Sequence, residues 1–133
     1  MDEIAVRVEA EINPTEDRAK VEKSVTNIFD NISVEIKQSY KGSVIYAQAE
    51  GRAALAKFRS LLSLDRIRAA ARKVLLGGLA GNIIRFYLNK QVAHAGHVTF
   101  SEEKGESPLG PIKVTIECEK PQQLINWLAP RTD

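Results

Sequence analysis

Glu3 to Ile12 read EIAVRVEAEI, with Ile4, Val6, Val8, Ala10 and Ile12 on one side and Ala5, Arg7, Glu9 and Glu11 on the other. Alternation with a period of two marks an extended strand that buries one face and wets the other. Such a strand belongs to an antiparallel sheet covered on one side, because parallel sheets bury both faces. Two further segments repeat the pattern. Ile32, Val34 and Ile36 alternate with Ser33, Glu35 and Lys37, and Ile112, Val114, Ile116 and Cys118 alternate with Lys113, Thr115, Glu117 and Glu119. Lys41-Gly42 predicts a turn after which Val44 to Ala49 returns as the second arm of a hairpin.

Helical signals fill the gaps. Asn13-Pro14-Thr15-Glu16 predicts a helix start, with Asn13 as cap, Pro14 in the first helical position and Glu16 completing a capping box. Val21, Val25, Ile28 and Phe29 form its apolar stripe, and Asp30-Asn31 ends it. A second helix is expected over 53–62, with Leu55, Phe58, Leu61 and Leu62 inward. A third is expected over 65–76, halted by Gly77-Gly78 and Gly81. Ile83 to Leu88 is rich in β-branched and aromatic residues and reads as a strand. Asn89 then caps a short helix that stops at Gly96; one continuous helix over 82–95 is the alternative. A strand over 97–100 and a polar, proline-bearing loop over 101–111 follow. Pro121 opens a last helix that turns Leu124, Ile125 and Leu128 inward, with Trp127 at its edge. The expected architecture is α+β, an antiparallel sheet with helices packed over one face, in a single domain over 1–133.

The composition is that of an ordinary globular protein: 133 residues, 44% apolar and 27% charged. No apolar run approaches the roughly 20 residues that span a bilayer, so no membrane role is expected. The acidic start, MDEIAVRVEAE, lacks the basic region and apolar core of a signal peptide. Cys118 is the only cysteine and has no partner for an internal disulfide, which suits a reducing, cytoplasmic setting.

The charge is unevenly placed. Nine Lys and Arg and one acid, Asp65, lie between Arg52 and Lys90, a local net of +8 in a chain whose total is +2. The third helix carries Arg66, Arg68, Arg72 and Lys73. At roughly 100° per residue, Ile67, Ala70, Ala71, Val74 and Gly78 form one stripe with Leu75 at its margin, and the four cations occupy the opposite face. The plain reading is a solvated helix face. A solubilising face, however, normally mixes signs and gains from Glu–Lys pairs one turn apart. Here the bases are nearly unmixed, and Arg52, Lys57 and Arg59 extend them into the preceding helix. Arg68 and Arg72, one turn apart, can grip adjacent phosphates with paired guanidinium donors. The reading favoured is a polyanion site. RNA is preferred to DNA because no helix-turn-helix, zinc module or basic zipper is present.

Other chemistry is thin. The glycine-rich segment 76–82 lacks the Gly-Lys-Ser/Thr ending of a phosphate loop and the spacing of a dinucleotide fingerprint, and reads as a helix stop. His94 and His97 have no cysteine or acid close in sequence to complete a zinc set. No cofactor, metal or catalytic constellation is expected, and the chain is read as a non-enzyme.

Leu88-Asn89-Lys90-Gln91-x-Ala93, then Gly96-x-Val98-x-Phe100 and Pro108-Leu109-Gly110-Pro111-Ile112, resemble an archaeal family of small uncharacterised proteins. Arg68-x-x-x-Arg72 and Leu124-Ile125-x-Trp127-Leu128-Ala129-Pro130 resemble it as well. Family members are described as predicted RNA-binding proteins, some as suspected exosome-associated subunits, with a fold like that of the ribosomal protein that holds 5S rRNA. The resemblance implies RNA as partner and an RNA-processing or exosome complex as setting. It also recasts Asn89, Lys90 and Gln91: as polar residues at a helix start they are structural, and in an RNA-binding protein their amides can meet bases or sugars with Lys90 on phosphate.

The sequence therefore predicts a non-enzymatic RNA-binding module of weak sequence specificity. Arg66, Arg68, Arg72 and Lys73 would contact phosphates, helped by Arg52, Lys57, Arg59, Arg85 and Lys90, with Asn89 and Gln91 beside them. The alternative is a protein-interaction module that self-associates, as a homodimer, without nucleic acid.

Overall fold

The alternating segment at the start of the chain forms the centre of the sheet. The computed structural model describes residues 3–39, 42–102 and 110–131. In chain order the elements are β1 (Ile4–Ile12), α1 (Arg18–Thr26), β2 (Ser33–Ser39), β3 (Gly42–Glu50), a 3₁₀ turn (Arg52–Leu55), α2 (Ala56–Leu64), α3 (Arg68–Gly77), β4 (Leu79–Ala80), β5 (Ile83–Leu88), α4 (Lys90–His94), β6 (Phe100–Ser101), β7 (Ile112–Cys118) and α5 (Pro121–Leu128). The seven strands run β2-β3-β1-β7-β5-β4, with β6 also on β5. Every pairing is antiparallel, and the sheet stays open rather than closing into a barrel.

Register explains why one face is dry. Val34 pairs with Ala47, Ala47 with Val8, Val8 with Val114 and Val114 with Phe86, so one row of apolar side chains crosses five strands. Phe86 stacks on Phe58 of α2 with ring centres 5.4 Å apart; Phe58 meets Phe29 at 5.8 Å, and Phe86 meets Phe100 at 5.9 Å. All four phenylalanines of the chain thus form one file from the segment after α1, through α2 and β5, to β6. The opposite face carries Arg7, Glu35, Lys37, Gln48, Glu50, Arg85 and Glu117, all exposed. The expected α+β sheet with its core on one side is what forms.

Several boundaries differ from the expectation. Asn13 does not cap α1. Its backbone N–H and its side-chain Nδ2 both donate to Glu16 Oε1, at 3.0 and 2.9 Å, closing a turn, and Asp17 caps the helix by accepting from the Ala19 N–H at 2.9 Å. The same Glu16 oxygen also meets a buried lysine, Lys90, whose Nζ lies 3.0 Å from it. The segment 65–67 is not helical. Ile67 N–H donates to Leu62 O and Arg66 N–H to Ser63 O, the paired bonds of a Schellman stop, with Arg66 in the left-handed region at φ 57°. Residues 83–94 are a strand followed by a short helix, with the Asn89 side chain accepting from the Val92 N–H at 3.0 Å. Pairing at the following strand covers only Phe100–Ser101, because His97 and Val98 turn toward Asp65. Lys41 of the expected hairpin turn and Pro108-Leu109 of the proline loop lie outside the described residues.

Gly78 places α3 against the sheet. A Cβ there would collide with the Arg85 carbonyl oxygen, while the Gly78 carbonyl accepts from the Arg85 N–H at 3.0 Å. The glycine cluster thus ends a helix and lets it touch β5, consistent with a structural role.

Candidate nucleic-acid interface

The end of α5 organises the basic residues. Leu124, Ile125 and Leu128 bury one side of this helix, which leaves the carbonyls of its last turn facing α2 and α3. Such carbonyls lack helical partners and carry the negative end of the helix dipole. Two arginines answer them. Arg59 Nε donates to Trp127 O at 2.8 Å, and Arg72 Nη1 donates to Ala129 O at 3.2 Å and to Asn126 Oδ1 at 2.7 Å. The Trp127 ring carries two guanidinium groups, Arg59 at 5.1 Å and Arg52 at 5.4 Å from its centre. Arg68 lines a cleft with Arg59 beside Leu128 and Pro130. Arg52, Arg59, Arg68 and Arg72, from the 3₁₀ turn, α2 and α3, therefore gather around residues 126–130.

None of these four is ion-paired with a carboxylate among the described residues. Asp65, the one acid in the basic segment, is engaged elsewhere. Its Oδ2 accepts from the Val98 N–H at 3.0 Å and its Oδ1 lies 3.0 Å from His97 Nδ1. Burial alone would raise its pKa; the Val98 N–H, and then the His97 ring, outweigh this and hold it below the ordinary carboxylate value.

The remaining candidate residues are dispersed. Arg66 is exposed at the left-handed corner before α3, and Lys73 is exposed on the solvent side of that helix. The expected wheel for this helix is rotated. Ala71 and Leu75 are its buried residues, Arg68 and Arg72 flank them half-buried, and Ala69, Ala70, Lys73 and Leu76 face water. Long arginine stems cover apolar surface while their heads reach α5, which is why they sit at the border of the buried stripe. Lys57 donates to Thr26 O at 2.9 Å and pairs with Asp30 at 3.2 Å. Arg85 is exposed on the open face of the sheet, in register with Thr115 and through it with Arg7, and touches the end of α3 through its backbone at Gly78. Lys90 is 3% exposed; its Nζ donates to Glu11 O at 2.7 Å and meets Glu16 Oε1 at 3.0 Å. Asn89 is the cap of α4, and Gln91, exposed on that helix, lies beside a separate cleft with His94.

Asn126 and Ser60 were not singled out by sequence as parts of this surface, and Trp127, able to stack on a base, was read as a packing residue instead. Trp127 had a signal, since it is the only tryptophan and follows two inward residues by half a turn. Asn126 had none, because its contact depends on how α5 docks.

Comparison with known proteins agrees with this architecture. A family model described as RNA binding matches residues 5–118. A UPF0201 protein of Sulfurisphaera tokodaii is 44% identical over 125 residues, covering 94% of this chain and 86% of its own. One from Pyrobaculum aerophilum is 45% identical over 130 residues, covering 96% and 91%. The crystal structure of a UPF0201 protein from Methanococcus jannaschii superposes with a TM-score of 0.86 at 32% identity, covering 97% of this chain and 95% of that one.

Proposed function

Because the chain belongs to the UPF0201 family and to the RNA-binding family whose model spans residues 5–118, we propose that it binds RNA through the arginines gathered at the end of α5. The observation that carries this reading is the convergence of Arg52, Arg59, Arg68 and Arg72 on one corner, without a carboxylate ion-paired to any of them among the described residues. Arg66 and Lys73 extend the surface along α3. Arg66 strengthens the case, because a non-glycine residue in the left-handed region costs about 1 kcal/mol and glycine is the usual occupant of that corner. Lys57, Arg85, Asn89, Lys90 and Gln91 are left out of the interface, since they are paired, buried, capping or on other faces.

Guanidinium groups held by Trp127 and by helix carbonyls keep free N–H donors at fixed positions, which suits phosphate oxygens. Backbone contacts of this kind give weak sequence preference and a steep salt dependence. The test is RNA affinity across a salt series for wild type and for Arg68→Ala/Arg72→Ala. A lower salt slope and weaker binding in the double variant support the reading; a chain that binds no RNA at low salt, or a double variant that matches wild type, overturns it.

A second reading has its own observation. The open face of the sheet carries both signs, with Arg7, Lys37, Arg85 and Lys113 set among Glu9, Glu11, Glu35, Glu50 and Glu117. Two copies turned face to face would match opposite charges. Light scattering without RNA distinguishes the two, since self-association that dissolves with salt favours this one. An exosome or other RNA-processing complex as the setting rests on the family resemblance, and co-purification with such a complex is its test.

A further inference from the structure

Between α2, the start of α3 and the end of α5 lies a cleft of about 370 Å³. Arg59, Ser60, Ser63 and Arg68 supply its polar lining, and Leu64, Leu128 and Pro130 its apolar wall. No Asp or Glu lines it. Arg59 commits only its Nε, to Trp127 O, which leaves the N–H groups of both terminal nitrogens for a ligand. The Arg68 side chain makes no hydrogen bond or ion pair among the described residues. Ser60 and Ser63, one turn apart on α2, are exposed and add hydroxyl donors. The charged lining is cationic only, and it is backed by hydrocarbon.

We propose that this cleft is a subsite for a terminal phosphomonoester of an RNA chain. The proposal rests on the RNA-binding reading and narrows it. A terminal phosphate presents three unsubstituted oxygens and carries a charge of about −1.5 to −2 near pH 7. A phosphodiester within the chain presents two such oxygens and a single charge. Two guanidinium groups match the charge of the terminal group, and with two hydroxyls they offer donors to all three of its oxygens. Leu64, Leu128 and Pro130 give no polar partner to a sugar continuing past the phosphate, so the cleft suits a chain that stops there.

Trp127, the only tryptophan, provides the measurement. Arg59 lies over its ring, so a phosphate that draws the guanidinium toward the cleft changes indole emission. The full chain is titrated, by tryptophan fluorescence and by filter binding, with one short oligoribonucleotide in three forms: 5′-phosphate, 3′-phosphate, and hydroxyl at both ends. Binding about tenfold tighter for one phosphorylated end, with that preference lost in Arg68→Ala and reduced in Ser60→Ala/Ser63→Ala, is the expected result and identifies which end is read. Equal binding of all three forms overturns the subsite and leaves RNA binding standing. A preference that survives Arg68→Ala also overturns it. Failure of all three to bind overturns both the subsite and the RNA reading.

Discussion

The guanidinium of Arg59 lies 5.1 Å from the centre of the Trp127 ring while its Nε donates to the Trp127 carbonyl oxygen at 2.8 Å. One residue of α5 thus fixes an α2 cation by face and by backbone, and it shares its ring with Arg52. Removing the ring removes no charge, so Trp127→Leu isolates positioning from electrostatics. Cation–π contacts at exposed sites are worth about 0.5–1 kcal/mol each. RNA affinity should fall several-fold with the salt slope unchanged, as read from binding isotherms at several ionic strengths.

Arg68 and Arg72 should separate. Arg72 is bonded to Asn126 and Ala129, so Arg72→Ala should lower stability by about 1–2 kcal/mol as well as weaken RNA binding. Arg68→Ala should leave the unfolding free energy within about 0.5 kcal/mol of wild type and reduce the salt slope by about 0.7–0.9. Denaturation curves and salt-series binding on the same two variants check both statements.

Arg66→Gly should move stability and binding in opposite directions. Glycine relieves the left-handed backbone at φ 57° and is expected to stabilise by up to about 1 kcal/mol, while the lost cation weakens binding to RNA. A higher melting temperature with tighter or equal RNA binding would remove Arg66 from the interface.

Lys90 should behave as a core residue. Breaking a buried ion pair strands the remaining charge and costs about 3–5 kcal/mol, so Lys90→Met should unfold at markedly lower urea concentration. At temperatures where the variant stays folded, its RNA affinity should equal that of wild type. Loss of affinity without loss of stability would return Lys90 to the binding surface.

Asp65 gives an acid-side signature. Its folded pKa is lower than the unfolded value of about 3.9, so its contribution is present in full above that value and is lost as pH falls through the lower folded one. Asp65→Asn should therefore be less stable than wild type at pH 7, and the gap should close toward pH 2. Urea midpoints at the two pH values test it; a gap that widens on acidification would contradict the assignment.

The parts of this molecule that depend on near neighbours could be read directly. Alternation at Ile4 to Ile12 and at Ile112 to Cys118 gave the central strands, and Asn89 and Pro121 marked helix starts that form as expected. What escaped depends on distant chain. Glu16 makes the bond back to the Asn13 N–H that its spacing predicts, but that bond closes a turn, a lysine 74 residues away shares the carboxylate, and the helix is capped by Asp17 instead. The orientation of α3 followed from α5, whose carbonyls draw Arg72 across 57 residues of sequence. Arg85 was the legible exception. Ile84, Phe86 and Leu88 alternate with it toward the core, so its placement on the far face of the sheet was already implied.

The phenylalanine file passes through Phe58, whose neighbour on α2 is Arg59. Sheet, helix and guanidinium are therefore one mechanical unit. Heating should not loosen the anion-gripping corner ahead of the rest: affinity measured against temperature should decline smoothly and then break at the melting point, with no earlier step.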